Sequence, residues 1–179
     1  MTTREARPED LPDMARIRVD TWKAAYCGIV PDAYLDSLTY TATENHWRRV
    51  LWEENRGSFA FVATDSDGQV VGIAMAGPVF SKQETEYKGE IYVLYVLPGW
   101  QRQGFGRQLV RACGLKLVQP GLTPILIWTL AQNPARAFYE KLGGVVAREK
   151  QVERGGKELA EVGYGWIDGE RLVNVGTSG

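Results

Sequence analysis

Residues 95–107 read YVLPGWQRQGFGR, and this stretch decides the fold. It begins inside an apolar segment, residues 90–97, which has the pattern of a buried strand. The strand stops at Pro98, because proline has no N–H to donate to a sheet. A helix pattern begins near Gly104 and continues to about Val118, with apolar residues on one stripe. A buried strand, a short loop and a helix therefore follow one another along the chain.

The loop in this stretch has the features of a pyrophosphate-binding turn. Gly104 and Gly106 occupy alternate positions at the helix start, where several backbone N–H groups converge. The helix dipole adds about half a positive charge there, and glycine lets a ligand approach the backbone closely. Arg102 and Arg107 contribute full charges that suit phosphate oxygens. The sequence therefore predicts a site for a diphosphate.

Two other diphosphate motifs do not fit this loop. Gly99 and Gly104 have the spacing of a Walker loop, but Phe105 stands where that loop needs lysine. A dinucleotide fingerprint requires a third glycine at position 109, which is Leu109.

The chain on both sides of the stretch alternates between strand and helix patterns. Upstream, the predicted elements are a helix that ends before Gly28, helices over 32–38 and 43–54, and strands over 59–64 and 69–76. Downstream, they are a strand over 125–130, a helix over 134–142 and strands over 145–152 and 159–167.

Strand 90–97, the following helix and strand 125–130 form a βαβ unit, which should be parallel and right-handed. The flanking hairpins should be antiparallel. The predicted fold class is therefore α/β, with a mixed, mostly antiparallel sheet, a central parallel βαβ pair and helices on both faces.

Length and composition indicate one globular domain. The 179 residues are 44% hydrophobic and 24% charged, with a formal net charge of −1. We expect a single domain over 1–170 and a flexible tail over 171–179. The balanced charge gives no field that attracts nucleic acid or anionic lipid.

The cysteine and histidine content excludes several kinds of site. Cys27 and Cys113 are too few for a disulfide framework, and with His46 as the only histidine they show no metal-ligand spacing. We therefore expect no metal. The charged N-terminus is not a signal peptide and no apolar run is long enough to span a membrane, so we expect a cytoplasmic protein.

Three segments resemble the GNAT superfamily of N-acetyltransferases. Residues 101–106, QRQGFG, look like its pattern Gln/Arg-x-x-Gly-x-Gly/Ala, and residues 94–98 resemble its strand-to-proline lead-in. Residues 133–144, NPARAFYEKLGG, look like its second motif, and Trp22, Tyr26 and residues 28–31 match an N-terminal pattern of small bacterial members. A lone QxxGxG pattern is weak evidence for this family. Two motifs in the expected order, each in its expected strand–helix context, are specific evidence.

The resemblance implies acetyl-CoA as the co-substrate. In the family, the backbone of Leu94, Tyr95 and Val96 pairs with the pantetheine arm, as a strand would. The diphosphate would bind the turn that comprises Gln101, Arg102, Gln103, Gly104, Phe105, Gly106 and Arg107. Asn133, which precedes Pro134, is a helix-start residue and also a candidate cofactor contact.

Resemblance also implies two catalytic candidates. Tyr139 would contact the cofactor and donate a proton to the departing thiol as general acid, because a neutral phenol is available at pH 7. The alternative is an aromatic side chain packed at the edge of the core. Glu90 is the candidate base, directly or through a water molecule, and is otherwise a solvated carboxylate at a strand end.

Two further features point to the acceptor side. Trp22 and Tyr26 are four residues apart on one helix face, where they are either core or the wall of an acceptor pocket. The loop that contains Glu84 and Glu86 either attracts cationic amines or is merely solvated.

The predicted function is transfer of an acetyl group from acetyl-CoA to a primary amine, by direct attack in a ternary complex. Two alternatives stay open: a non-catalytic acetyl-CoA-binding sensor or scaffold, and an acetyltransferase for protein N-termini or lysines. The expected partner is thus a small-molecule amine or a peptide amine, with no nucleic acid and no membrane. A homodimer is one candidate for the oligomeric state.

Overall fold

The computed structural model describes residues 2–54 and 56–174. Its central element is one seven-stranded sheet. The strands are β1 (Thr2–Glu5), β2 (Phe59–Thr64), β3 (Val70–Pro78), β4 (Gly89–Val96), β5 (Ile125–Leu130), β6 (Val145–Arg154) and β7 (Lys157–Trp166). The helices are α1 (Leu11–Tyr26), α2 (Asp32–Ser37), α3 (Tyr40–Arg48), α4 (Phe105–Val118), α5 (Arg136–Lys141) and α6 (Glu170–Val173).

The strand order is β1-β2-β3-β4-β5-β7-β6, and every neighbouring pair is antiparallel except β4 and β5. The parallel pair is joined through α4, as a βαβ unit requires. This topology confirms the predicted mixed, mostly antiparallel sheet with a central parallel pair.

Helices cover both faces of the sheet, which is also as predicted. On one face α4 packs an apolar cluster that includes Leu109 and Leu117 against Ile125 and Ile127. On the other face α1 and α3 bury a second cluster, formed by Leu11, Met14, Ile17, Trp47, Val50 and residues of β2 and β3. Burial of side chains from two directions explains the near-continuous apolar run of β3.

A bulge interrupts β4 where it pairs with β3. Met75 lies opposite Val93 and Ala76 lies opposite Ile91, so Tyr92 is the additional residue. The Tyr92 hydroxyl donates to the carbonyl of Pro78 and holds the bulge in place. Because a bulge bends its strand and increases the local twist, it turns the second half of β4 away from its straight course.

The structure differs from the predicted elements in three places. Strand β1 was not predicted, because Thr2–Glu5 is polar and lies at the sheet edge. The helix expected over 43–54 is α3 followed by a π-helical turn, Arg49–Glu53. The helix expected over 134–142 is the shorter α5.

Of the tail that the sequence predicts to be flexible, residues 171–179, the structure describes residues 171–174, most of which belong to α6. Leu172 of α6 is fully buried. It lies so close to α4 that a Cβ added at Gly114 would be 3.1 Å from the Cβ of Leu172. Residues 175–179 lie outside the described part of the chain.

Candidate active site

The loop between β4 and α4 contains two residues with left-handed backbone conformations. Gly104, which precedes the first residue of α4, has φ 92°, and Arg102 has φ 60°. Only glycine adopts such values without cost, so Gly104 is required by the turn. The two left-handed residues turn the chain sharply into the helix.

Two exposed glutamine side chains bind the backbone of this loop. Gln101 Nε2 donates to the carbonyl oxygen of Val96 at 3.0 Å, and Gln103 Nε2 donates to that of Gly99 at 2.9 Å. The sequence predicted both glutamines as cofactor contacts. In the structure their amide groups bind main-chain carbonyls of the same loop.

The first turn of α4 presents free donors at the protein surface. The N–H groups of Phe105, Gly106 and Arg107 have no hydrogen-bond acceptor within the described residues, as expected for the first turn of a helix. Phe105 is buried and packs edge-on against Trp100, with ring centroids 5.9 Å apart. The donors are therefore fixed in position, and the dipole makes their end of the helix attractive to an anion.

The sheet opens beside this turn. β4 pairs with β5 only from Gly89 to Ile91, opposite Ile125–Ile127, and the two strands then separate. Leu94 and Val96 pack toward α4, whereas Tyr95 packs toward α1. The backbone of residues 94–96 consequently borders a cleft in which an extended chain could pair with it.

Tyr139 lies on α5, on the α4 side of this cleft. Its ring is 5% exposed and packs against Tyr164, with centroids 5.5 Å apart, and against Phe138 at 5.6 Å. The packing interpretation of Tyr139 is therefore correct for the ring.

The hydroxyl of Tyr139 is in a different situation from its ring. The hydroxyl has no hydrogen-bond partner in the part of the chain that the structure describes. Among the residues described, the side-chain oxygens that are both unpaired and fully enclosed are Thr21 Oγ1 and Ser58 Oγ, so the Tyr139 hydroxyl is not fully enclosed. It therefore borders accessible space. Burial raises the pKa of Tyr139, and the nearby phenols of Tyr26 and Tyr95 raise it further. The phenol is neutral at pH 7 and keeps a proton to donate.

Asn133 connects the start of the second motif to α1. Its Nδ2 donates to Tyr26 Oη and to Thr129 Oγ1, each at 2.8 Å, and its Oδ1 accepts from the Ala135 N–H at 2.8 Å. Asn133 thus caps the turn before α5, while the N-cap position itself is Ala135. Both amide hydrogens of Asn133 are engaged within the protein.

The profile of the Acetyltransferase (GNAT) family matches residues 18–144, which include the loop, the cleft and Tyr139. The chain belongs to this family. It is 40% identical over 168 residues to the uncharacterised N-acetyltransferase YuaI of Bacillus subtilis, covering 94% of each chain. A probable N-acetyltransferase of Mycobacterium tuberculosis, Rv2775, is 28% identical over 141 residues, which cover 77% of this chain and 76% of the relative.

Solved acetyltransferase structures share the fold. A ribosomal-protein-alanine N-acetyltransferase from Brucella melitensis superposes with a TM-score of 0.72 at 24% identity, covering 94% of this chain and 100% of that one. The acetyltransferase yncA from Salmonella typhimurium, solved with acetyl-CoA, gives 0.70 at 21% identity, with coverage of 93% and 92%. These likenesses establish the architecture of this acetyltransferase.

Glu90, the predicted base of the acetyltransferase, lies where β4 and β5 are still paired. Its Oε2 accepts from the Phe80 N–H at 3.1 Å. Burial raises the pKa of Glu90, and its contact with the N–H of Phe80 offsets this in part. Five residues of strand separate it from Tyr95, about 15 Å at the usual rise. Glu90 is thus apart from the aromatic group that surrounds Tyr139.

A second carboxylate, Glu161 on β7, was not predicted. Its side chain is 13% exposed and pairs with Lys150 and Arg154, each at 3.3 Å. Its charge also raises the pKa of Tyr26 and Tyr95. The sequence contained a signal for this position. Side chains alternate between the two faces of β7, so Glu161 shares a face with Leu159, which packs against Trp22 and Tyr26.

Trp22 and Tyr26, the predicted acceptor wall of the acetyltransferase, both pack in an apolar cluster between α1, α2 and β7. Their rings meet edge to face at 4.8 Å. The core interpretation therefore holds for both rings. Each also has a polar contact toward the cleft, since Trp22 Nε1 donates to Tyr95 Oη at 2.6 Å and Tyr26 Oη accepts from Asn133.

The acidic loop does not present free charges to an amine. Arg148 binds Glu84 at 3.0 Å and Glu86 at 2.6 Å. This pairing holds the loop against β6.

Neither a metal cluster nor a membrane-spanning helix is found between residues 2 and 174, Asn55 excepted. No group of three His, Cys, Asp or Glu side chains could hold a metal ion there. No helix in that range combines the length and the apolarity needed to cross a bilayer.

Proposed function

We propose that the protein transfers an acetyl group from acetyl-CoA to a primary amine by direct attack in a ternary complex. One observation carries the proposal: beside the opening between β4 and β5, the N–H groups of residues 105–107 have no acceptor among the described residues, and the hydroxyl of Tyr139, which packs in the same apolar cluster as α4, has no partner there either. The first feature suits a diphosphate, and the second suits a leaving group that needs a proton.

The residues present fit coenzyme A. The N–H groups at the start of α4, with the exposed side chains of Arg102 and Arg107, provide donors and charge for the diphosphate. The backbone of residues 94–96 provides groups for the amides of the pantetheine arm. Two structural neighbours, yncA and a paia N-acetyltransferase from Thermoplasma acidophilum, were solved with acetyl-CoA and coenzyme A respectively.

Bound acetyl-CoA would supply the acetyl group as a thioester. The amine nitrogen bonds to the acetyl carbon, the carbon–sulfur bond breaks, and Tyr139 protonates the departing sulfur. The ammonium form of the acceptor first loses one proton, and we assign that proton to Glu90 through a chain of water molecules, because Glu90 lies about 15 Å along the strand from Tyr95. The second proton lost by the nitrogen restores Tyr139.

Direct attack is favoured over a covalent cysteine intermediate. Cys113 is fully buried, and burial raises the pKa of its thiol, so it stays protonated and enclosed. Cys27 is exposed on the surface. Holding amine and thioester together supplies much of the rate, roughly 7–11 kcal/mol in well-oriented systems.

Four finer predictions belong to the same proposal. The partner is a small amine or a peptide amine, and the near-neutral net charge gives no field that attracts nucleic acid. A cytoplasmic location, a single domain over residues 1–170 and a homodimer stay predictions. The alternatives are a sensor without turnover and a protein acetyltransferase.

Calorimetry with acetyl-CoA, followed by thiol release from a panel of amines and peptides, tests the proposal. We expect saturable binding and turnover with at least one amine. Gly104→Ala should weaken binding, because its φ of 92° strains any other residue. Folded protein that takes up no acetyl-CoA would contradict the enzyme and the sensor together, and binding without turnover would favour the sensor. Turnover with peptides alone would favour the protein acetyltransferase.

A further inference from the structure

An open pocket of about 290 Å³ lies between α1 and the start of α3, and none of the predicted site residues lines it. Its lining is mostly hydroxyl-bearing or cationic: Arg18, Ser37, Leu38, Thr39, Ala42, Thr43 and His46. None of these residues was given a role by the sequence. Carboxylate side chains are missing from the lining, which makes the pocket unusual on a protein whose acidic and basic residues are nearly equal in number.

Arg18 is the central residue of this pocket, which we call the Arg18 pocket. Its guanidinium lies over the rings of Trp22 and Trp47, 5.7 and 5.9 Å from their centroids, and donates to Thr43 Oγ1 at 3.1 Å. Within the described residues no carboxylate lies within 4 Å of it. Two indole rings thus hold a half-buried cation that has no counter-ion.

The nearby acids of α1 are engaged elsewhere. Asp20 accepts from the Tyr40 hydroxyl at 2.8 Å, and Asp13 pairs with Arg16 at 3.0 Å. The charge of Arg18 therefore remains available to a ligand.

The opposite wall of the pocket adds positive potential. It includes the N-cap Thr39 and the first-turn residues Ala42 and Thr43 of α3, a helix of nine residues whose dipole is positive at this end. His46, in the last turn of α3, also lines the pocket, and burial together with the charges of Arg49 and Arg18 lowers its pKa. Glu54 opposes this shift only weakly. The field in the pocket consequently favours an anion.

The Arg18 pocket adjoins the predicted acceptor wall, because Arg18 lies over the ring of Trp22. Arg18, Trp22 and Tyr26 are spaced by four residues and share one face of α1, about 6 Å apart along the axis. Trp22 contacts Tyr95 and Tyr26 contacts Asn133, so this face runs from the pocket to the neighbourhood of Tyr139. Burial raises the pKa of Tyr95, and the charge of Arg18 lowers it in part.

We propose that the Arg18 pocket binds an anionic group of the acceptor, so that the preferred substrate carries a carboxylate or phosphate at a distance from its reactive amine. This inference rests on the proposed function, because it assigns the acceptor to the same cleft. A guanidinium provides paired donors for either oxyanion, and the hydroxyls of Thr39 and Thr43 line the remaining surface. Arg18 would then determine specificity without taking part in proton transfer.

His46 allows a test that does not need turnover. It is the only histidine of the chain, so in untagged protein its imidazole gives a single set of NMR signals. Titration with glutarate or inorganic phosphate should shift these signals saturably and raise the pKa of His46. Arg18→Gln should abolish the saturable shift. Arg16→Gln, a cation of the same helix paired with Asp13, should retain it. No saturable shift in the wild-type protein would overturn the proposal.

Turnover supplies the second test. Amines that bear a carboxylate, a phosphate or a neutral amide at the far end are compared at saturating acetyl-CoA. We expect KM for one anionic class to be lower than for the amide, and Arg18→Gln to raise that KM about 10- to 100-fold with little change in kcat. The better of the carboxylate and phosphate arms identifies the natural anion.

The two tests separate this inference from the proposed function. Equal KM values for anionic and neutral amines, unchanged in Arg18→Gln, would overturn the anion site and leave the acetyltransferase standing. Loss of acetyl-CoA binding in wild-type protein would overturn the proposed function, and the titration of His46 would still decide whether the pocket binds anions.

Discussion

The Tyr26 hydroxyl accepts a hydrogen bond from Asn133 Nδ2 at 2.8 Å and thereby ties the last turn of α1 to the segment before α5. Since α1 carries the proposed acceptor wall and α5 carries Tyr139, this single contact joins the two halves of the cleft. Burial raises the pKa of Tyr26, with a smaller lowering by its hydrogen bonds to Thr129 and Asn133. The phenol therefore stays a neutral structural group at physiological pH.

We predict that Asn133→Ala lowers the free energy of unfolding by about 1–3 kcal/mol, because three hydrogen bonds are lost and the partner groups stay partly buried. Urea titration of Asn133→Ala, Tyr26→Phe and the double variant measures the effect. The cycle should give a coupling of roughly 0.5–1.5 kcal/mol. Strictly additive losses would contradict a direct link. A large loss of acetyl-CoA affinity in Asn133→Ala would instead support a cofactor contact.

We predict that Tyr139→Phe reduces turnover by about 10²- to 10⁴-fold, the usual contribution of a general acid. Its acetyl-CoA affinity and stability should remain close to those of the wild-type protein, because the hydroxyl has no partner among the described residues and the ring packing is kept. Thiol-release kinetics, calorimetry and urea unfolding measure the three quantities. Tyr164→Phe is the control. The Tyr164 hydroxyl is bonded to Arg136 and Glu140, so this variant should lose stability while its turnover falls far less than that of Tyr139→Phe. Undiminished turnover in Tyr139→Phe would remove it from the mechanism.

The turn between β4 and α4 could be predicted from the sequence because its conformation depends on local residues. Gly104 must adopt a positive φ at that turn, and Pro98 must end the strand before it. The same holds for the order of the central strands, which follows from alternating patterns and short connections. Strand β1 could not be found in this way, since Thr2–Glu5 is a strand only through its pairing with β2.

The surroundings of Trp22 and Tyr26 could not be predicted from the sequence because they depend on contacts between distant segments. Arg18 and Thr43 are 25 residues apart, and Trp22 and Tyr95 are 73 apart. No spacing rule predicts that these groups meet. Likewise Gln101 and Gln103 match a cofactor motif, but only the folded loop shows that their amides bind the backbone of Val96 and Gly99.

Acid should weaken the loop between β3 and β4. The Arg148 guanidinium lowers the pKa of Glu84 to about 2 from its usual 4.5. A lowered pKa means that the stabilisation by Glu84 is present above pH 4.5 and is lost as the pH falls toward 2.

We therefore predict that Glu84→Gln is less stable than wild-type protein at pH 7, and that the difference shrinks steadily below pH 4.5. Urea unfolding across this range measures the difference. Glu86→Gln is the matched control, because Glu86 binds the same arginine from a side chain that is 54% exposed, and exposed pairs contribute little. A pH-independent difference for Glu84→Gln would show that charge is not the cause.

Glu90 should behave in the opposite sense. Burial raises the pKa of Glu90, so the folded state tolerates its neutral form better than its charged form. Relative to Glu90→Gln, which cannot ionise, wild-type protein should lose stability as the pH rises from 4.5 through the raised pKa and then level off. Gln can still accept from the Phe80 N–H, so this hydrogen bond is preserved in the comparison.

Activity distinguishes a base from a merely buried acid at this position. If Glu90 accepts the ammonium proton, Glu90→Gln should lower kcat/KM at neutral pH and remove an acidic limb that lies above pH 4.5 in the wild-type profile. If Glu90→Gln leaves the pH–rate profile unchanged but increases stability as predicted, Glu90 is not the base, and its burial only destabilises the folded protein. The base would then be sought at Glu161, whose charge reaches both Tyr26 and Tyr95.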